Sequence, residues 1–139
     1  MAVTRIDQIA IAVDDLDVAL EYWERAFGLV PEHRELVESD GVEEAMINVG
    51  GVYIQLLQAT REDSPIARYL AKNGPGLHHL GFGVSDINET LVQLRDENVR
   101  LIDEEPRPGG GGHTVAFVHP KGTADGGGIL VELIDDSEH

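Results

Sequence analysis

The sequence predicts an α+β fold of two paired βαβββ modules, whose strands form a curved mixed sheet around a central site. Three observations carry that prediction. Residues 6–20 (IDQIAIAVDDLDVAL) and 77–91 (LHHLGFGVSDINETL) share one pattern: a polar third position, an apolar strand, an aspartate, then an amphipathic helix. Each half also closes on a similar apolar run, VYIQLL at 52–57 and ILVELI at 129–134. Between the halves, Ser64-Pro65 opens a short helical stretch that Gly74-Pro75-Gly76 ends. A chain of 139 residues is of single-domain size. It divides into module one (about 4–60), a linker helix (about 63–73) and module two (about 76–136).

The elements follow in order. IAIAV, at 9–13, reads as a strand buried on both faces. Asp14 and Asp15 offer an N-cap, and Leu16, Ala19, Leu20, Trp23 and Phe27 recur at helical spacing up to Gly28, a left-handed cap. Three β-type runs come next, at 32–36, 44–49 and 52–57, with Gly50-Gly51 as a hairpin turn. The linker helix runs through Ala67, Tyr69 and Leu70. In module two, Leu80, Phe82 and Val84 mark a strand, and Asp86 with Glu89 makes a capping-box pattern. Ile87, Leu91 and Leu94 form the apolar stripe of a helix that Asn98 stops, and strands are expected at 100–104, 113–119 and 129–134.

Superposing the repeats pairs Gln8 with His79 and Gln55 with Glu132. His79 follows Gln8 by 71 residues and Glu132 follows Gln55 by 77, so module two carries six extra residues before its last strand. The glycine-rich stretches 109–112 and 122–128 are loops able to absorb them without changing strand register.

These four side chains offer one imidazole, one carboxylate and two amide oxygens, a mixed set that suits a divalent transition ion with positions left for water or substrate. Singly they read differently. Gln8 alone is a polar residue at a strand start. Gln55, inside YIQLL, needs a partner if buried. Of His78 and His79, only one can face the interior, because strand neighbours point to opposite faces. Glu132 is the strongest signal, since a carboxylate between Val131 and Leu133 is costly unless paired or metal-bound. Glu44, at the head of EAMINV, reads either as a further member of the site or as an exposed charge beside Glu43. His119-Pro120-Lys121 leads into a glycine-rich loop, where a cation could meet an anionic ligand.

Composition narrows the partners. With 26 acidic against 10 basic residues the net charge is -16, which repels nucleic acid and anionic membrane surfaces. An anionic substrate would therefore need a local basic group. There is no cysteine, so thiolate chemistry and Cys-ligated metals are excluded. No run approaches membrane-spanning length, and no apolar leader follows Met1-Ala2, so the expectation is a soluble cytoplasmic protein.

The pieces DSPIA, GLHHLGF, DEEPRPG, FVHPKG and ILVEL resemble the vicinal oxygen chelate (glyoxalase/bleomycin resistance/dioxygenase) superfamily, and within it the methylmalonyl-CoA epimerases. The likeness covers nearly the whole chain. It implies metal ligands at Gln8, Gln55, His79 and Glu132, the same four positions the internal repeat selects, and an acid–base pair at Glu44 and Glu132. The implied cofactor is a divalent ion, Co²⁺ first, with Mn²⁺, Ni²⁺, Zn²⁺ and Fe²⁺ as alternatives. The implied reaction is metal-dependent epimerisation of (2R)/(2S)-methylmalonyl-CoA, by proton transfer at C2 through an enolate. The partner is a small acyl-CoA, and the likeness further implies a homodimer. Arg5, Arg68, Lys72, Arg107 and Lys121 are unranked candidates for the CoA phosphates. Gln8 departs from the pattern, because the epimerases usually have His there. Some glyoxalase I enzymes carry Gln, which keeps open a glyoxalase-type isomerase; a metal-free binding protein of the same fold is the other alternative.

Overall fold

The computed structural model describes residues 3–137. The architecture is α+β, with two compact units: Gln8–His78, and residues 79–137 together with 3–7. Each is a βαβββ module.

In the first unit, residues 8–12 of β1 (Val3–Ala12) lead into α1 (Leu16–Phe27), followed by β2 (His33–Val37), β3 (Val42–Val49) and β4 (Val52–Ala59). Its strands lie in the order β2-β3-β4-β1. β1 and β4 run parallel, with Ala10 opposite Gln55, whereas β2, β3 and β4 are antiparallel neighbours. The Asp15 side chain accepts from the Val18 N–H and caps α1. At the other end Gly28 takes φ 71°, a left-handed conformation that glycine adopts without a Cβ penalty. Leu16 is fully buried against Ala45, Ile47 and Leu56 on one face of the strands, with Ala19, Leu20 and Trp23 packed around them. Phe27 departs from the expected stripe. It lies past the last packed turn, 62% exposed, with its ring 5.4 Å from that of Trp23.

The opposite face of the same strands has two ends. Toward one, Ala10, Ala12, Val42 and Leu57 are covered by Ile66, Tyr69 and Leu70 of α2 (Pro65–Asn73); Ile9, Ile11 and Val13 on the other face are only half-buried, so the expected two-sided burial of this strand holds in part. Toward the other, the alternation that buries those residues presents Gln8, Gln55, Glu44 and His33. The polar residues share a face with the α2-covered core.

In the second unit, β5 (Gly76–Val84) leads into α3 (Ile87–Asp96), then the two-residue β6 (Arg107–Pro108), β7 (Thr114–Val118) and β8 (Leu130–Asp135). The order is β5-β8-β7-β6, with β5 and β8 parallel and Gly81 opposite Glu132. Asp86 accepts from the Glu89 N–H at the head of α3. Ile87 and Leu91 are buried among Val84, Ala116, Val131 and Leu133, and Asn98 takes φ 60° as the chain leaves the helix. On the other face Arg5 grips both oxygens of Asp136, at 2.9 and 2.7 Å, and raises its own pKa through that bond and a second one to Asp7. Gly83 lies beneath this pair; a Cβ there would fall 2.7 Å from Arg5 Nε, so no larger residue fits without displacing it.

One expected strand is absent. Residues 100–104 make only an isolated bridge, Leu101 to Val118. The Asp103 carboxylate accepts the Phe117 N–H at 2.8 Å, and the Ile102 and Asp103 N–H groups share the Phe117 carbonyl. A side chain thus takes the place of a ladder partner, and pairing resumes only at Arg107. Among the described residues no helix is long and apolar enough to cross a membrane.

Candidate active site

The first unit joins three of the predicted residues. Gln8 is buried, and its Nε2 donates to Gln55 Oε1 at 3.1 Å. Gln55 Nε2 in turn donates to Glu44 Oε2 at 2.6 Å. Glu44 is therefore not a stray surface charge: it is half-buried on β3 and held by the Gln55 amide of the adjacent strand β4. Its sequence neighbour Glu43 instead pairs with Arg34 at 2.9 Å. β3 begins at Val42, two residues before the expected start, which carries Glu44 onto the ladder opposite Leu57.

The second unit joins the other two. His79 Nε2 lies 3.4 Å from Glu132 Oε1, with side chains only 7 and 15% exposed. Each ladder puts its polar pair in the same relation, since Ala10 (Gln8 plus two) faces Gln55 and Gly81 (His79 plus two) faces Glu132. Phe117 stands edge-on to the His79 ring, centroids 5.8 Å apart, and is the ladder partner of Glu132. His78 points the other way, its ring packed edge-on to Tyr69 at 5.0 Å.

The donor chemistry suits a divalent ion. An imidazole nitrogen and a carboxylate oxygen 3.4 Å apart can be bridged by two metal–ligand bonds of about 2.1 Å. The Gln8 and Gln55 amides each carry one acceptor oxygen, and which end of an amide faces inward is set by the network it joins. Among the described residues no buried side-chain polar atom lacks a partner, so an entering ion would exchange existing hydrogen bonds for coordination.

Sequence reasoning did not single out His33 and Glu35. Their side chains are bonded at 3.0 Å, and together with Glu44 they place ligand atoms within 4.8 Å of one another. The signal was present as a His-x-Glu alternation on a strand, but only the Glu35–Glu44 pairing gives it meaning. His119 accepts the Lys121 N–H on Nδ1 at 2.9 Å. Burial, then Arg100 and Lys121, holds its pKa below the usual value, so the imidazole favours its neutral form there.

Residues 7–117 match the model of the Glyoxalase/Bleomycin resistance protein/Dioxygenase superfamily. The chain belongs to that superfamily. It is 35% identical over 131 residues to the ethylmalonyl-CoA/methylmalonyl-CoA epimerase of Cereibacter sphaeroides, covering 93% of this chain and 96% of that one. It is 36% identical over 130 residues to human mitochondrial methylmalonyl-CoA epimerase, covering 93% of this chain and 72% of the human one. Among solved structures, a Streptomyces coelicolor methylmalonyl-CoA epimerase variant in complex with 2-nitronate-propionyl-CoA is similar with a TM-score of 0.87 and 42% identity. That match covers 96% of this chain and 94% of that one. The chain is thus an enzyme of the isomerase class, on the fold its internal repeat predicts.

Proposed function

We propose that the chain epimerises (2R)/(2S)-methylmalonyl-CoA at a divalent-metal site held by Gln8, Gln55, His79 and Glu132, with residues 1–139 acting as one domain. One observation supports this above the others: both modules present their polar pair at the same ladder register, and Glu44 is hydrogen-bonded to a member of one pair. The superfamily relatives named as methylmalonyl-CoA epimerases support the substrate. A nitronate is a planar anion, as an enolate is, and the similar Streptomyces structure carries one on a CoA thioester.

In this reading Glu44 and Glu132 act on opposite faces of C2. One carboxylate removes the proton and the other, protonated, delivers one, since inversion needs two groups in different protonation states. Gln55 orients Glu44 through its 2.6 Å hydrogen bond, so the base enters each cycle with one oxygen already fixed. A bound divalent ion supplies Lewis acidity at the thioester oxygen. Co²⁺ is the first choice for that ion, and Gln8 weakens the preference for late transition ions relative to a two-imidazole site. The protein works as a cytoplasmic homodimer.

The test is exchange of the C2 proton of methylmalonyl-CoA in heavy water, with and without added Co²⁺. Metal-dependent exchange is expected, and its absence sinks the reading. Gln8 favours one second reading, a glyoxalase-type isomerase; turnover of methylglyoxal–thiol adducts in preference to methylmalonyl-CoA would establish it.

A further inference from the structure

We infer that Arg107 is the substrate's anion anchor, binding a carboxylate or phosphate oxyanion of the acyl-CoA beside the His79–Glu132 pair. The inference rests on the acyl-CoA reading above and extends it to a residue that neither the repeat nor the ligand pattern ranks.

The ladder places Arg107 on the right face. It pairs with Val115 on β7, two residues from Phe117, and Phe117 pairs with Glu132 on β8. Arg107, Phe117, Glu132 and His79 therefore share one face of the second unit. The side chain also reaches toward the site. Its guanidinium carbon lies 5.3 Å from the Phe117 ring centroid, and that ring is the one edge-on to His79.

The head group is held but not used up. Nε contacts both Asp103 oxygens at 3.2 Å, and Asp103 is itself tied to the Phe117 backbone. No other hydrogen bond of Arg107 is made among the described residues, so the terminal N–H groups remain on a side chain that is 49% exposed. A guanidinium fixed in plane, with its terminal fork open, suits bidentate capture of a carboxylate or phosphate. Four other arginines are already paired with carboxylates: Arg5 with Asp7 and Asp136, Arg34 with Asp17 and Glu43, Arg61 with Asp63, and Arg95 with Glu104.

Charge makes the need specific. A chain of net charge -16 repels an anionic thioester, so a preorganised local cation at the site counts for more than it would in a neutral protein. The first module carries no such group at the matching place. Glu35 occupies the register position that Arg107 occupies in the second. The anion-binding role therefore belongs to module two alone.

The test measures malonyl-CoA binding by calorimetry for the wild type, Arg107→Gln and Arg107→Lys, with malonyl-pantetheine as a ligand lacking the CoA phosphates. Arg107→Gln is expected to weaken malonyl-CoA binding roughly tenfold or more, with Arg107→Lys intermediate because it keeps the charge without the fork. In turnover, KM should rise by a similar factor while kcat changes less than about threefold. The gap should also narrow at high salt, which a purely structural role would not produce. Equal weakening on both ligands assigns the carboxylate, and weakening on malonyl-CoA alone assigns a phosphate. Unchanged affinity of Arg107→Gln for both ligands, or no binding by the wild type, overturns the inference. Failure of the epimerase reading would show separately, as wild-type protein that binds malonyl-CoA yet exchanges no C2 proton.

Discussion

In module one the residue two past Gln8 faces Gln55 across parallel strands; in module two the residue two past His79 faces Glu132. This ladder register agrees to the residue, yet the side chains hung on it do not. Opposite Gln55 on the next strand stands Met46, and opposite Glu132 stands Phe117. One step further, Glu44 corresponds to Val115 and Glu35 to Arg107. Module one is finished as an acidic cluster around an amide, and module two as an imidazole–carboxylate pair flanked by an aromatic ring and a cation. The helix-covered faces, by contrast, remain apolar in both, because a one-residue slip there would expose the whole core. Duplication preserves what packing demands, while the polar faces of the two modules have diverged.

The largest expected effect tests that division. Glu44→Gln should lower epimerisation by on the order of 10³ while metal content, measured by elemental analysis, stays unchanged. Its amide can still accept from Gln55, so the fold is spared; retained turnover would remove Glu44 from the chemistry. The cores test whether the two modules behave as one domain. Leu56→Ala in the first and Leu91→Ala in the second should each cost about 2–5 kcal/mol, shifting a single denaturation transition. Two separate transitions would show that the modules unfold independently.

Metal affinity probes the amide–imidazole difference between Gln8 and His79. Gln8→His should tighten Co²⁺ binding roughly tenfold, and His79→Gln should weaken it by at least as much, read by competition with a chelator. Equal affinities across the three proteins would mean these positions do not ligate. The helix caps provide a smaller and symmetric comparison: Asp15→Ala and Asp86→Ala should each cost about 1 kcal/mol in chemical denaturation, because each loses one side-chain bond to a helix N–H. The smallest effect is confined to module two. Because His119 has a depressed folded pKa, the unfolded chain takes up its proton first as pH falls. Its contribution is therefore complete above the ordinary histidine value of about 6.5 and declines below it. An NMR titration placing His119 above that value would reverse the sign.

Much of this was legible in the chain because it is local. Asp15 with Gly28, Ser64 with Pro65, and Asp86 with Glu89 mark helix ends through bonds spanning three or four residues, so spacing alone reveals them. The repeat carries the strand register, and register carries the four predicted ligand positions. The strand expected at 100–104 failed for an equally physical reason: the Asp103 side chain satisfies Phe117, fourteen residues away, and no local pattern encodes that partner.

The α+β class, the duplicated module, the helix ends and the two matching polar pairs, Gln8 with Gln55 and His79 with Glu132, are written in the chain itself. Those follow from periodicity, capping and repetition. Strand pairing alone establishes that Glu44 is held by Gln55, that His33 and Glu35 stand beside it, and that Arg107 lies over Phe117. Each of those depends on which strands become neighbours, and strand pairing joins residues whose separation along the chain says nothing about their distance in space.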